Sequence, residues 1–235
     1  MATYKGIKGF SIQNLSADPS NPIEGEMWYN STSNVWKVEE TTAAGAWATG
    51  NNMNTARLLL AGCGTQTVAL AFGGEITAAT GATEEYNGAT WASNPTGLNT
   101  VRRILAGCGT QTAALAFGGG PPNVGATEEY NGSTWTSNPT GLNTARSGLA
   151  GAGIQTAALA FGGETTVETG ATEEYDGATW TTSPASLATA RRGLAGCGTQ
   201  TAGLAFGGIN PVAISAATEE WLGAGAAVTK TITVS

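Results

Sequence analysis

The chain has 235 residues, with 17 acidic against 10 basic, a formal net charge of -7 and no histidine. It gains nothing from phosphate counterion release, which excludes nucleic acid as an expected partner. With aspartate only at Asp18 and Asp176, Ser-His-Asp triads, histidine-bearing zinc sites and aspartate-rich calcium loops are excluded as well.

Taken in chain order, the N-terminus "MATYKGIKGF" lacks the apolar segment of a signal peptide, and no apolar run reaches membrane-spanning length. A soluble chain made in a cytoplasm is expected. Residues 1–53 hold four strand-like runs, "GFSIQN", "GEMWYN", "VWKVEE" and "AWATG", with a hairpin turn at "NSTSN". Trp28, Tyr29 and Trp36 stand outside the repeats that follow and are expected to be freer to be exposed.

From residue 54 the sequence repeats. "ALAFGG" ends at Gly74, Gly119 and Gly163, and "GLAFGG" at Gly208, steps of 45, 44 and 45 residues. "ATEEYNGATW" ends at Trp91, "ATEEYNGSTW" at Trp135 and "ATEEYDGATW" at Trp180. Arg57, Arg102, Arg146 and Arg191 keep the same period. A period in the mid-forties fits helical HEAT or armadillo repeats or four-stranded propeller blades. Gly-Gly, Asn-Gly and Asn-Pro signals and many threonines argue against the helices.

Four runs per unit read as strands a to d: "LAGCGT", "TAALAF", "ATEEY" and "TWTSN". In strand b, Leu70 and Phe72 point to one face and Ala69 and Ala71 to the other. One bulky and one small apolar face suit a sheet sandwiched between neighbouring sheets. Asn87-Gly88, Asn131-Gly132 and Asp176-Gly177 suit a tight c–d hairpin with positive φ. The last unit departs, with Trp221 in the tyrosine position, no later tryptophan, and "VTKTITVS" as candidate fourth strand.

The predicted fold is all-β: a five-bladed β-propeller of four-stranded antiparallel blades, one domain over 1–235. Residues 1–53 form a divergent first blade, because Trp47 lies 44 before Trp91, and 54–98, 99–143, 144–188 and 189–235 form the others. The alternative is four blades plus an N-terminal hairpin.

Candidate chemistry is weighed against packing. "GCGTQTAG" lacks both the GxGxxG spacing and the Lys-Ser/Thr of a phosphate loop, so its glycines read as close packing on an inner strand. Cys63, Cys108 and Cys197 share one repeat position with Ala152, which marks a small apolar slot holding buried free thiols. No metal site and no cofactor is expected. Neighbouring carboxylates on strand c point to opposite faces and cannot form a glycosidase pair. Glu84, Glu128 and Glu173 are instead expected to pair with Arg57, Arg102, Arg146 or Arg191 as bridges between blades. Trp91, Trp135 and Trp180 are expected to pack between blades.

The copies differ in the b–c connections, "EITAATG", "GPPNVG", "ETTVETG" and "INPVAIS". Variation confined to loops on one face suits a binding surface. Its candidate residues are Glu75, Ile76, Thr77, Pro121, Pro122, Asn123, Glu164, Thr165, Thr166, Asn210 and Pro211. The d–a loops, as in "SNPTGLNTAR", emerge on the same face.

An arginine, a small-residue strand, an apolar strand ending in Gly-Gly, then a tyrosine and a tryptophan: this unit resembles the kelch motif of β-propellers. The resemblance covers about Asn54 to Leu222 and implies a blade fold that usually binds protein or glycan. "DPSNPIEGEMWYNSTSNVWKV" and "ATEEWLGAGAAVTKTITVS" resemble segments of bacteriophage tail-fibre and marine-phage virion surface proteins. Together these imply a non-catalytic adhesion module on a virion surface, recognising a cell-surface glycan or receptor protein beside other virion subunits. A purely structural virion protein is the alternative, and a propeller glycosidase a more distant one; a copper oxidase would need histidines that the chain lacks.

Overall fold

The computed structural model describes residues 13–20, 26–38 and 47–223. Contacts divide the chain into two compact units, Met1–Thr49 and Gly50–Ser235. Every regular element described is a strand.

The first unit holds β1 (Gln13–Leu15), β2 (Met27–Asn30) and β3 (Val35–Val38). The "NSTSN" hairpin forms as expected: Asn30 Oδ1 accepts from the Thr32 and Ser33 amides at 3.0 Å, and Asn34 takes a positive φ of 55°. The sheet nonetheless differs from the expected first blade. Among the described residues it has three strands, and β1 pairs parallel to β2. Residues 47–50 carry no strand, and Trp47 is fully exposed, so the register shared with Trp91 does not translate into a matching strand. Trp28 is buried, its indole donating to Asp18 Oδ1 at 3.0 Å, contrary to the exposure expected of it; Trp36 is exposed. Asp18 also accepts from Asn30 and Lys37, and these partners, Lys37 foremost, hold its carboxyl down at about 2.

The second unit is a run of blades. The first comprises β4 (Ala61–Thr65), β5 (Val68–Phe72), β6 (Thr83–Tyr86) and β7 (Trp91–Asn94). The second comprises β8 (Ala106–Thr110), β9 (Ala113–Phe117), β10 (Thr127–Tyr130) and β11 (Trp135–Asn138). The third comprises β12 (Ala150–Ile154), β13 (Ala157–Phe161), β14 (Thr172–Tyr175) and β15 (Trp180–Thr182). Each is a four-stranded antiparallel sheet in chain order, and the repetition is that of a propeller-like array. The fourth blade shows β16 (Ala195–Gly198), β17 (Ala202–Phe206) and β18 (Thr218–Leu222). Its expected last strand, "VTKTITVS", lies outside the described residues.

Local chemistry explains the turns. After strand b the chain must reverse sharply, and Gly73 and Gly74 do so at φ of 66° and 101°. A Cβ on Gly73 would lie 2.9 Å from the Arg102 carbonyl oxygen of the next blade. The c–d connection is the expected tight hairpin, with positive φ at its glycine. It spans 87–90, with Asn87 Oδ1 accepting from the Ala89 and Thr90 amides at 3.0 and 2.8 Å, so only Gly88 takes positive φ.

Blades pack bulky face on small face. Leu70 and Phe72 of the first blade lie against Ala114, Ala116, Tyr130 and Trp135 of the second. Leu115 and Phe117 meet Ala158, Ala160, Tyr175 and Trp180 of the third in the same way. The ring centroids of Phe72–Trp135 and Phe117–Trp180 are 4.9 and 5.0 Å apart. Each such aromatic pair adds about 0.5–1.5 kcal/mol beyond the area it buries. Each indole also reaches the preceding blade, Trp135 donating to Thr83 Oγ1 and Trp180 to Thr127 Oγ1, both at 2.9 Å. Trp135 and Trp180 therefore pack between blades as expected. The outer phenylalanine rim lies over an inner-strand glycine: a Cβ on Gly151 would lie 2.5 Å from the Phe117 ring. A Gly151→Ala substitution is expected to cost about 1–3 kcal/mol through overpacking, read as a lowered urea midpoint at unchanged slope.

Candidate binding face

The b–c loops and the segments that enter each blade lie together on one face. Antiparallel bridges join Leu58 to Glu75, Arg103 to Gly120, Ser147 to Glu164 and Arg192 to Ile209. Each b–c loop after the first strand of its bridge is thus held by backbone pairing, and its tip projects outward. Ile76, Val167, Val212 and Ile214 are exposed aliphatic tips, and Thr77, Pro121, Pro122, Thr166 and Pro211 are exposed beside them.

Other predicted residues of this face are engaged within it. Glu75 forms an ion pair with Arg103, and Glu164 and Glu168 both face Arg192 Nε, at 2.9 and 3.1 Å. Asn123 Nδ2 donates to the Glu164 and Thr165 carbonyls at 2.9 and 2.7 Å, tying the second blade's loop to the third's. Asn210 Oδ1 caps its own turn, accepting from the Val212 and Ala213 amides at 2.9 Å. Glu75, Asn123, Glu164 and Asn210 shape the loops, and the free surface is made by their neighbours. The exposed tips are apolar and hydroxylic, and the ionised groups beside them, Glu75 with Arg103 and Glu164 and Glu168 with Arg192, are paired with one another.

Beneath it, the repeat arginines and glutamates pair, but within a unit rather than between blades. Arg57 Nη2 lies 3.4 Å from Glu84, Arg146 Nη2 3.2 Å from Glu173 and Arg191 Nη2 3.0 Å from Glu219, while Arg102 makes a closer contact with Glu128. Each carboxylate also accepts from the incoming d–a segment: Glu173 takes the Asn143 amide at 2.6 Å and the Thr144 amide at 3.3 Å. Each guanidinium donates to strand-b or loop carbonyls, as Arg146 does to Ala171 O and Ala160 O. The pair therefore fastens the entering connection to its own blade. Burial pulls the guanidinium groups of Arg57, Arg102 and Arg146 below their usual range, and the facing glutamate opposes that shift.

The bridge between blades is made by the second glutamate. Tyr130 donates to Glu85 and Tyr175 to Glu129, while Asn94 and Asn138 donate to the same phenol oxygens at 2.5 and 2.6 Å. Burial first, and the neighbouring carboxylate second, push both phenols well above their ordinary value. A glutamine of the a–b turn also bridges blades. Gln111 Nε2 donates to the Ala69 and Tyr86 carbonyls at 2.9 and 2.7 Å, and Gln155 and Gln200 repeat the contact. The signal for it stands in the sequence as Gln66, Gln111, Gln155 and Gln200, at the repeat period.

The cysteines are free. Cys63 directs its thiol to the Thr110 carbonyl at 3.4 Å and Cys108 to that of Ile154 at 3.7 Å, each on the next inner strand. Burial pushes both thiols up to about 12. Cys197, expected to be buried, is exposed, because among the described residues no inner strand of a following blade packs against β16 as β8 does against β4. Among the described residues, no three His, Cys, Asp or Glu side chains are placed to hold a metal ion. A cleft of about 50 Å³ between the third and fourth blades is lined by Phe161, Thr172, Leu187 and Trp221.

No protein-family model matches this sequence, and no curated protein matches it.

Two outcomes test this interior. Arg146→Met is expected to cost about 3–5 kcal/mol in chemical unfolding, because it leaves Glu173 buried without its counter-charge. Adding Glu173→Gln should recover part of that loss. Alkylation of native protein at pH 8 should modify Cys63 and Cys108 at least about a hundredfold more slowly than after unfolding, since the thiolate is the reacting form.

Proposed function

We propose that this chain is a non-catalytic binding module, a kelch-like propeller displayed on the surface of a phage particle. It holds a cell-surface glycan or protein through several weak loop contacts at once, with other virion subunits beside it. The observation that carries this reading is the distribution of difference. The four units nearly coincide in their strands, yet diverge in the b–c loops, whose tips Ile76, Pro121, Val167 and Val212 stand exposed on one face. Repeated weak sites gain avidity without strong individual contacts. The strand-c glutamates Glu84, Glu128 and Glu173 are occupied by arginine and backbone amides, which suits them to structure rather than to general acid–base work.

A specific observation in the first unit favours a glycan. Tyr29 and Trp36 pack with their rings tilted at 53° and centroids 5.3 Å apart, beside Gln13 and Asn14, giving an aromatic surface with hydrogen-bonding groups at its edge.

A glycan array probed with the whole chain, followed by attachment assays on candidate host cells, tests the reading. Saturable binding is expected. Replacing Ile76, Pro121–Pro122, Val167 and Val212 together by serine should lower binding by at least about tenfold, while leaving the melting temperature in place. Undiminished binding by that variant would remove the loop face from consideration, and turnover of a bound polysaccharide would overturn the non-catalytic reading.

A further inference from the structure

Each contact between blades has two halves, a leading one on the earlier blade and a trailing one on the later. The leading half begins with the strand-b phenylalanine. A Cβ on Gly107 would lie 2.4 Å from the Phe72 ring, and one on Gly196 would lie 2.4 Å from Phe161. The Gly-Gly turn completes it: Gly74, Gly119 and Gly163 donate to the carbonyls of Arg102, Arg146 and Arg191 at 3.0, 2.9 and 2.8 Å. The trailing half supplies that glycine, that carbonyl and the a–b glutamine. It also closes a row along the inner strands, in which Ile104 donates to Leu59 O, Gly148 to Ile104 O and Gly193 to Gly148 O.

In the described residues, the second unit forms three such interfaces among four blades, and so keeps one of each half unused. On the fourth blade Phe206 is 39% exposed, where Phe72, Phe117 and Phe161 are at most 3%. Gly207 keeps the same positive φ, 69°, but a Cβ placed on it would meet nothing nearer than Ser215 O at 4.0 Å, where one on Gly73 would lie 2.9 Å from the carbonyl of Arg102 on the following blade. Cys197, which would point to a further inner strand, is exposed. On the first blade Gly62 carries no phenylalanine ring, and Gln66 is exposed and bonds to no described residue. Trp91 stacks on Tyr86 at 5.1 Å but lacks the phenylalanine that Trp135 and Trp180 receive.

At Phe206 and Gly207 on one side, and Gly62, Gln66 and Trp91 on the other, these two surfaces match the two halves of the internal interfaces. We propose that they are an interface between copies of this chain, with Phe206 of one copy seated over Gly62 and against Trp91 of a second. The contact continues the interface already repeated inside the unit. Head-to-tail contacts of this kind close into a ring when the rotation permits. Two copies would make a ring of eight blades, within the roughly four-to-eight-blade range of propellers. The N-terminal sheet is a poorer occupant, because β1 to β3 contain neither the Phe-Gly-Gly nor the Gly-x-Gly half.

Sedimentation equilibrium of the whole chain tests this. At tens of micromolar, the expected mass is twice the 23.5 kDa of one chain. Phe206→Glu and Gly62→Lys each spoil one half outside the three internal interfaces, and each should run as a single chain with unchanged circular dichroism. Mixed, they should pair one to one, because the first variant keeps an intact first blade and the second an intact fourth. A wild-type chain that stays single, variants that keep the doubled mass, or a mixture that does not pair would each overturn the proposal. If a variant fails to fold, the wild type still decides. Cys197 should react with a thiol reagent slowly in concentrated protein and quickly on dilution, and a rate independent of concentration would overturn it.

Discussion

The constraint on which the array depends is the fit of a phenylalanine ring onto bare backbone. Phe72, Phe117 and Phe161 each occupy the space that a side chain on Gly107, Gly151 or Gly196 would fill. Alanines on strand b of the receiving blade continue the same shallow surface. Bulk on one face and its absence on the other let identical units stack without special adaptors, as in other repeat proteins whose units contact only their neighbours. The price is that an end blade leaves one such face uncovered, as Phe206 of the fourth blade, 39% exposed, shows among the described residues.

A second set of contacts gives this packing its direction. A glutamine crosses each of the three interfaces, and at the first two a tyrosine and a thiol cross as well, each running from one blade to the carbonyl or carboxylate of an adjacent one. Meanwhile the buried arginine–glutamate pair works inside the unit, pinning the connection that carries the chain inward from the previous outer strand. A fully buried ion pair is weak evidence of net stability, since desolvation offsets much of its attraction. Its value here is positional: the carboxylate orders two backbone amides that would otherwise be unsatisfied beneath a loop.

That fixed floor is what makes the loop face usable. Bridges such as Ser147 to Glu164 and ion pairs such as Arg192 with Glu164 hold the bases of the b–c loops, leaving only the tips to vary. The division between anchoring and free residues could not be read from the loops themselves. Glu75 and Glu164 look like surface acids in sequence, and only the fold brings Arg103 and Arg192 opposite them.

By itself, the sequence determined the strands of the repeated units, the packing of Trp135 and Trp180 between blades and the pairing of arginine with glutamate. All of these follow from short-range alternation and from a period that puts equivalent residues in equivalent places. Tertiary structure alone decided which neighbour each residue meets. Strand-c alternation sends Glu84 and Glu85 to opposite faces, but only the assembled blades make the first an internal anchor and the second a partner of Tyr130. The same limit explains the N-terminal sheet. A tryptophan at the right interval keeps register in the sequence, yet a blade also needs small inner residues and a bulky opposing face, and β1 to β3 lack them. Spacing along a chain is a local property, whereas burial is conferred by whatever packs against it.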